Sequence, residues 1–161
     1  MTINTAREGH TYPGIDYQVS REAIREFAAA VQNHHRAHTD LEAARTLGHS
    51  DLVAPPTFAV VIAQRAEAEA IADEEVGIDF SRVVHAEERF THHAPILAGE
   101  SLHAATTLER IRIMGAGAMI TTVTEITDDA EDPRATVTST LLVRADEANA
   151  DEANADEEGD Q

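Results

Sequence analysis

The sequence predicts a single α+β domain in which an antiparallel sheet curves around one buried helix. Two observations lead to this prediction: one helical segment is apolar on all sides, and four strand-like stretches follow it. A third limits the core, because hydrophobic residues make up 42% of the 161 positions and aromatic residues only 4%. The core must therefore consist of Ala, Val, Ile and Leu. A generic α+β sandwich fits the same periodicities, because periodicity defines layers and not curvature.

The first helix is predicted after Ser20, which can cap it. Ile24, Phe27, Ala28 and Val31 then follow at the spacing of a single apolar stripe, so this helix has one buried face.

The second helix is predicted to open at Pro55 and Pro56. Residues 58–63 are apolar on all sides, and charged residues appear only from Arg65 onward. A helix with apolar residues on every side must be surrounded by protein, so we expect it at the centre of the domain.

The strand-like stretches occupy residues 83–143. Val84, Ala86 and Phe90 alternate with polar neighbours, and residues 102–108 alternate in the same way. Two β-branched runs, 120–126 and 136–143, are separated by turn-forming residues at 128–133. Four consecutive strands with short connections predict an antiparallel meander.

The charge of the chain separates a body from a tail. Twelve Arg and no Lys face 30 acidic residues, which gives a net charge of −18, and removing the eight carboxylates from Asp146 onward leaves about −10 for the body. We therefore expect a domain at 1–145 and a disordered acidic tail at 146–161. Such a surface repels phosphate and anionic lipid, so neither nucleic acid nor a membrane is an expected partner.

Several kinds of site and location are disfavoured. With no Cys, disulfides, thiolate nucleophiles and Cys-based zinc sites are excluded. His34, His35 and His38 could share one helical face, but no His-Glu-x-x-His signature accompanies them, and we expect no metal and no cofactor. No apolar run approaches the roughly 20 residues of a membrane span, and residues 1–10 lack the apolar segment of a signal peptide. We expect a cytoplasmic protein.

Three stretches resemble the MaoC-like hot-dog dehydratases. They are SREAIREFAAAVQN at 20–33, LVAPPTF at 52–58, and VHAEERF at 84–90 together with PILAGE at 95–100. The similarity extends from Tyr17 to Arg144. It points in particular to the small actinobacterial A-type subunit of (3R)-hydroxyacyl-ACP dehydratase, a group related to FAS1-like dehydratases and to N-terminal MaoC domains.

The resemblance implies a hot-dog fold, in which a curved antiparallel sheet wraps around a central helix and a second subunit closes the acyl pocket at the interface. In catalytic members, an Asp-x-Asn-Pro-x-His motif follows the first helix. Its carboxylate and imidazole together activate the water that adds to an enoyl thioester.

This chain departs from the catalytic pattern in two places. Asn33 takes the position of the Asp, while His38 keeps the position of the His, and an amide cannot accept a proton at neutral pH. The Gly whose N–H polarises the thioester carbonyl aligns with Pro55 or Pro56, and proline has no N–H.

We therefore expect an acyl-binding, non-catalytic subunit of a dehydratase in fatty-acid metabolism. A homologous hot-dog partner would supply the catalytic groups, and the substrate would be an acyl-ACP or acyl-CoA. His38 and Asn33 would form a degenerate catalytic pair. Substrate contacts are expected from the helix start, namely Pro55, Pro56, Thr57 and Phe58.

Two alternatives remain open. One is a complete homodimeric (R)-specific enoyl hydratase, in which His38 is the base and Asp40 replaces the missing carboxylate. The other is a hot-dog acyl thioesterase, which needs an acid on the central helix. Glu67 and Glu69 lie on that helix, but in its second half. There we expect both side chains to be solvated and not aimed at the thioester.

Overall fold

The computed structural model describes residues 3–115 and 117–144 of the chain. The predicted acidic tail, residues 146–161, lies outside these residues. The described helices and strands, in chain order, are β1 (Ile15–Gln18), α1 (Arg21–Ala30), α2 (Leu41–Thr46), α3 (Ala59–Ala72), β2 (Val83–His92), β3 (Ser101–Met114), β4 (Gly117–Asp128) and β5 (Pro133–Arg144).

The five strands form one antiparallel sheet in the order β1-β3-β4-β5-β2. Helix α3 packs against β1, β3, β4 and β5, so the sheet curves around it and the predicted architecture is confirmed. The predicted meander is correct for β3, β4 and β5. It is wrong for β2, which pairs with β5 at the sheet edge.

The connection after β2 explains this difference. Residues 93–100 do not make a tight turn. Ala54 N–H donates to Ile96 O and Ala98 N–H donates to Leu52 O, which ties the connection to the segment before α3. Gly99 N–H also donates to Val19 O, so the chain crosses the end of the sheet and enters β3 beside β1. Side-chain periodicity carries no information about such a crossing.

Strand β2 also differs from its predicted face pattern. Its pairing with β5 shifts between His85 and Glu87, where Ala86 forms an irregularity of the β-bulge kind. Val84 and Ala86 are exposed, while Phe90, beyond the bulge, packs on the core. One extra residue reverses the alternation, so the strand was predicted correctly but two of its three apolar positions were assigned to the wrong face.

Ser20 caps α1 as predicted, since its Oγ accepts the N–H of Ala23 at 3.0 Å. The start of α3 lies later than predicted. Residues 56–58 form a turn in which Phe58 N–H donates to Pro55 O at 2.9 Å, and the helix begins at Ala59. Pro55 and Pro56 therefore shape the entry to the helix but do not belong to its first turn.

The core along α3 consists of two apolar clusters with polar side chains between them. The first cluster surrounds the start of α3 and includes Phe58, Ile62 and Ile126. The second surrounds the end of the helix and includes Ala70 and Leu141. Between them lie buried polar residues on both the helix and the sheet: Glu67, Thr106, Thr122, Thr124 and Ser139.

Candidate functional site

A cleft of about 360 Å³ lies at the start of α3. Ala54, Pro55 and Pro56 line one side, and the end of β2 with the following segment, residues 92–96, lines the other. His92 and His93, which have no role in the sequence-based predictions, therefore face the helix start. Only the crossing of residues 93–100 brings them there, so no local sequence signal identifies them.

His38 is held beside this cleft. Its side chain is 6% exposed, and its Nδ1 lies 2.6 Å from the carbonyl oxygen of Val53, the residue before Ala54. A carbonyl can only accept, so Nδ1 donates this hydrogen bond, and in the neutral imidazole the lone pair lies on Nε2. Ala37 O also accepts the N–H of Val53 at 3.0 Å, which fixes the backbone around the imidazole.

The two candidate partners of His38 are engaged elsewhere. Asn33 follows α1, and its Oδ1 accepts the N–H of His35 at 3.2 Å in a local turn. Asp40 caps α2, because its Oδ1 accepts the N–H groups of Glu42 and Ala43 at 2.9 and 3.2 Å. Its other oxygen pairs with Arg36. The hydrogen bond from Arg36 lowers the pKa of Asp40, so this carboxylate is a poor proton acceptor.

The predicted substrate-binding residues divide into two groups. Pro55 and Pro56 line the cleft and Thr57 lies exposed beside them, whereas the Phe58 ring is fully buried. That ring packs edge-on against Phe27 with centroids 5.5 Å apart, so it supports the cleft from the core.

The expectation that Glu67 and Glu69 are solvated is wrong. Glu67 is 2% exposed, and its Oε1 accepts the hydroxyl of Thr122 at 2.5 Å. Glu69 is partly buried and accepts the N–H of Gly14 at 3.1 Å. Residue 67 lies on the same helical stripe as the buried Ala59, Ala63 and Ala70, a spacing that could have identified it.

Burial raises the pKa of Glu67 above its ordinary value. The hydrogen bond from Thr122 opposes this rise, as do the charge of His85 and a hydrogen bond from Ser139, whereas the charge of Glu88 adds to it. Glu67 is therefore a carboxyl group that tends to keep its proton, in an interior position.

Within residues 3–115 and 117–144, no group of three or more His, Asp or Glu side chains could hold a metal ion. In the same part of the chain, no helix is long and apolar enough to cross a membrane.

The comparisons with known proteins agree on one family. Residues 6–137 match the family described as FAS1-like, dehydratase domain region. A UPF0336 protein of Leifsonia xyli is 44% identical over 148 residues, which are 91% of this chain and 99% of that protein. The relatives found in this way thus have nearly the same length as this chain.

Two solved structures are also similar. A MaoC-like dehydratase superimposes with a TM-score of 0.79 at 37% identity, and the match covers 87% of this chain but 43% of that protein, so this chain spans less than half of it. A chain of the HadBC (3R-hydroxyacyl-ACP dehydratase) complex from Mycobacterium tuberculosis superimposes with a TM-score of 0.76 at 32% identity, covering 84% of this chain and 96% of that one.

Proposed function

Because the chain belongs to the family of FAS1-like dehydratase domain regions, we propose that it is the acyl-binding subunit of a (3R)-hydroxyacyl-thioester dehydratase. A homologous hot-dog subunit would supply the complete catalytic pair. The observation that carries this proposal is the state of the groups near His38. Asn33 has no carboxylate, and both oxygens of Asp40 are engaged by α2 and Arg36.

Addition of water to an enoyl thioester needs a group that takes a proton and a group that returns one to the α-carbon. His38 can supply one of these functions through Nε2. Neither Asn33 nor Asp40 offers the second as the chain stands, since an amide does not titrate and the lowered pKa of Asp40 opposes protonation. The site fits a subunit that binds the substrate and relies on another chain for chemistry.

The sheet edge supports a hot-dog partner. Strand β2 has ten residues, and among the described strands it pairs only with β5, so its other side is an edge at which another strand could pair. Phe80, Val84 and Leu142 lie near this edge and are exposed, Phe80 by 65%. The similar HadBC structure is described as a complex, which fits the same arrangement. With a body charge of about −10, this chain is a poor docking surface for an acidic carrier protein, so the carrier would approach through the partner.

The decisive test is hydration of a trans-2-enoyl thioester by the purified chain, alone and with a co-expressed homologue that carries an intact Asp-x-Asn-Pro-x-His motif. We expect negligible turnover from the chain alone, and a stable heterodimer on sizing that is active. In that complex, His38→Ala should change turnover only modestly. His35→Ala is the matched control, because its exposed ring lies 5.7 Å from that of His38.

One observation favours the homodimeric hydratase as the second candidate, namely the Nδ1 anchor that leaves Nε2 of His38 free as a base. In that case the chain alone would be active. His38→Ala would then reduce turnover by about 10²–10⁴-fold, and His35→Ala would not. That pattern, together with a tight homodimer that ignores the homologue, would replace the subunit proposal. Release of free thiol from saturated acyl-CoA would instead indicate a thioesterase.

A further inference from the structure

A belt of polar side chains crosses the concave face of the sheet under the middle of α3. It runs in register over four strands, because Thr106 pairs with Thr124, Thr122 pairs with Ser139, and Ser139 pairs with Glu88. Apolar residues flank it on β3, β4 and β5. We call these five residues and Glu67, which faces them from the helix, the polar belt.

The inner part of the belt satisfies its own hydrogen bonds. Thr106 and Thr124 share a hydrogen bond of 2.7 Å between their hydroxyl oxygens. Thr122 donates to Glu67. These side chains lie between the two apolar clusters, where a polar group without a partner would be costly. The inner belt is therefore a built network, and not a random scatter of small polar residues.

The outer end of the belt differs, because it has an acceptor without a donor. Glu88 Oε1 is buried and has no hydrogen-bond partner among the described residues. Its other oxygen lies 3.7 Å from His85 Nδ1. Buried acceptors in native proteins are normally paired, so this end of the belt is less well satisfied than its inner part.

A cavity of about 550 Å³ opens at this end of the belt. Glu67 and His85 line it together with apolar residues of α3, among them Ala68 and Ile71, and with Phe80. The segment of α3 with its entry lines one side of both the cleft and this cavity, and β2 contributes His92 to the first and His85 to the second. We call the path that joins the two the seam. A ligand in the seam would meet apolar walls and, in the cavity, the carboxyl group of Glu67.

We propose that the polar belt binds a hydroxyl group carried on the acyl chain, far from the thioester. This inference rests on the proposed acyl-binding function. From Ala59 to Glu67 the helix rises about 12 Å, the length of an extended chain of about ten carbons. With the thioester at the helix start, the hydroxyl would therefore lie near the tenth carbon.

A hydroxyl fits better than the other groups that an acyl chain can carry. It can donate to and accept from the carboxyl group of Glu67, which lines the cavity. A methylene group at the same place would offer this buried carboxyl no hydrogen bond.

The test compares two probes, dodecanoyl-CoA and its ten-hydroxy derivative, by calorimetry on the full-length chain. A hydrogen bond to a buried carboxyl adds about 1–2 kcal/mol, so the wild type should bind the hydroxylated probe about 5–30-fold more tightly. Glu67→Leu should remove this preference, and Glu67→Gln should retain part of it. Glu69→Gln, on the same helix but bonded to Gly14, is the matched control and should keep the full ratio.

The outcomes separate the inference from the proposed function. If both probes bind the wild type equally, or if the preference persists in Glu67→Leu, the inference is wrong and acyl binding stands. If neither probe binds the chain alone or its complex with the homologous subunit, the acyl-binding function itself fails. Should Glu67→Leu not fold, Thr122→Val and Glu67→Gln must still reduce the ratio. A last outcome would also overturn the inference: free pantetheine displaces the probes from the wild type but not from Glu67→Gln. Such a result would place the pantetheine arm of the thioester carrier, and not the acyl chain, in the cavity.

Discussion

Replacing Thr122 with Val should show how the fold tolerates a buried carboxyl group. The substitution keeps the shape of the side chain and removes the hydroxyl that donates to Glu67 at 2.5 Å. Both side chains are at most 2% exposed, so water cannot easily replace the lost donor. Leaving a buried acceptor unpaired costs about 1–3 kcal/mol. For a domain of this size, about 2 kcal/mol corresponds to about 6 °C in melting temperature.

The destabilisation caused by Thr122→Val should grow with pH. Because burial raises the pKa of Glu67, the folded state holds this proton more tightly than the unfolded state. The resulting stabilisation is complete below the pKa that Glu67 has in the unfolded chain, about 4.3. It is lost as pH rises through the pKa that Glu67 has in the folded protein. The hydrogen bond from Thr122 lowers the folded pKa, so Thr122→Val raises it further and extends the loss. The variant should therefore be destabilised more at pH 8 than at pH 5.

Chemical denaturation at the two pH values measures this effect. Thr124→Val is the matched control, because Thr124 is equally buried on the same strand but bonds only to the hydroxyl of Thr106. Its cost should be about 1 kcal/mol and independent of pH. Glu67→Gln removes the titrating group. In that background Thr122→Val should cost the same free energy of unfolding at both pH values, even though His85 and Glu88 are still present. A pH-independent cost of Thr122→Val in the wild-type background would refute the reasoning.

Three further predictions concern the fold and the site. Gly14→Ala should destabilise the domain by more than about 2 kcal/mol in thermal melts, because the new Cβ would lie 2.3 Å from Ala104 O. Gly9 has a similar positive φ but open space around it, so Gly9→Ala should cost about 1 kcal/mol. Equal costs for the two variants would show that no clash exists at Gly14. Deleting Asp146 to Gln161 should leave the melting temperature and partner binding unchanged, and a loss of several degrees would show that the tail packs on the body. Asp40→Asn should leave the turnover of the reconstituted complex unchanged, since Asp40 serves as a helix cap. A loss of turnover with the fold intact would show that Asp40 acts in catalysis, which the subunit proposal does not allow.

The sequence predicted two of the three described α-helices and four of the five described strands, because each of these has its own local signal. Strand β1, with four residues, and helix α2, with six, are too short to show a periodic pattern and were not predicted. Ser20 and the apolar stripe after it define α1, and the alternation over residues 102–108 defines the inner face of β3. The resemblance to MaoC-like dehydratases identified the family without any knowledge of contacts. His38, Pro55 and Pro56 came from the same motifs, and the structure places them at or beside one cleft.

The position of β2 was decided only by the tertiary structure. Its alternation is strand-like, but the bulge at Ala86 and the crossing of residues 93–100 determine which face it buries and which strand it pairs with. Pairing depends on contacts between residues far apart in the sequence, and these leave no periodic trace. The same crossing brings His92 and His93 to the start of α3.

The sequence by itself determined the fold class and the family, because these depend on residue type and local spacing. The polar belt was decided only by the tertiary structure. The position of Glu67 on the buried stripe of α3 is visible in the sequence, but its partner is not, and Thr122 looks like an ordinary strand residue. Only when the sheet closes over α3 does the carboxyl lose its water and take the threonine hydroxyl in its place. The partner of a buried polar group is a property of the assembled layers, and no single segment contains it.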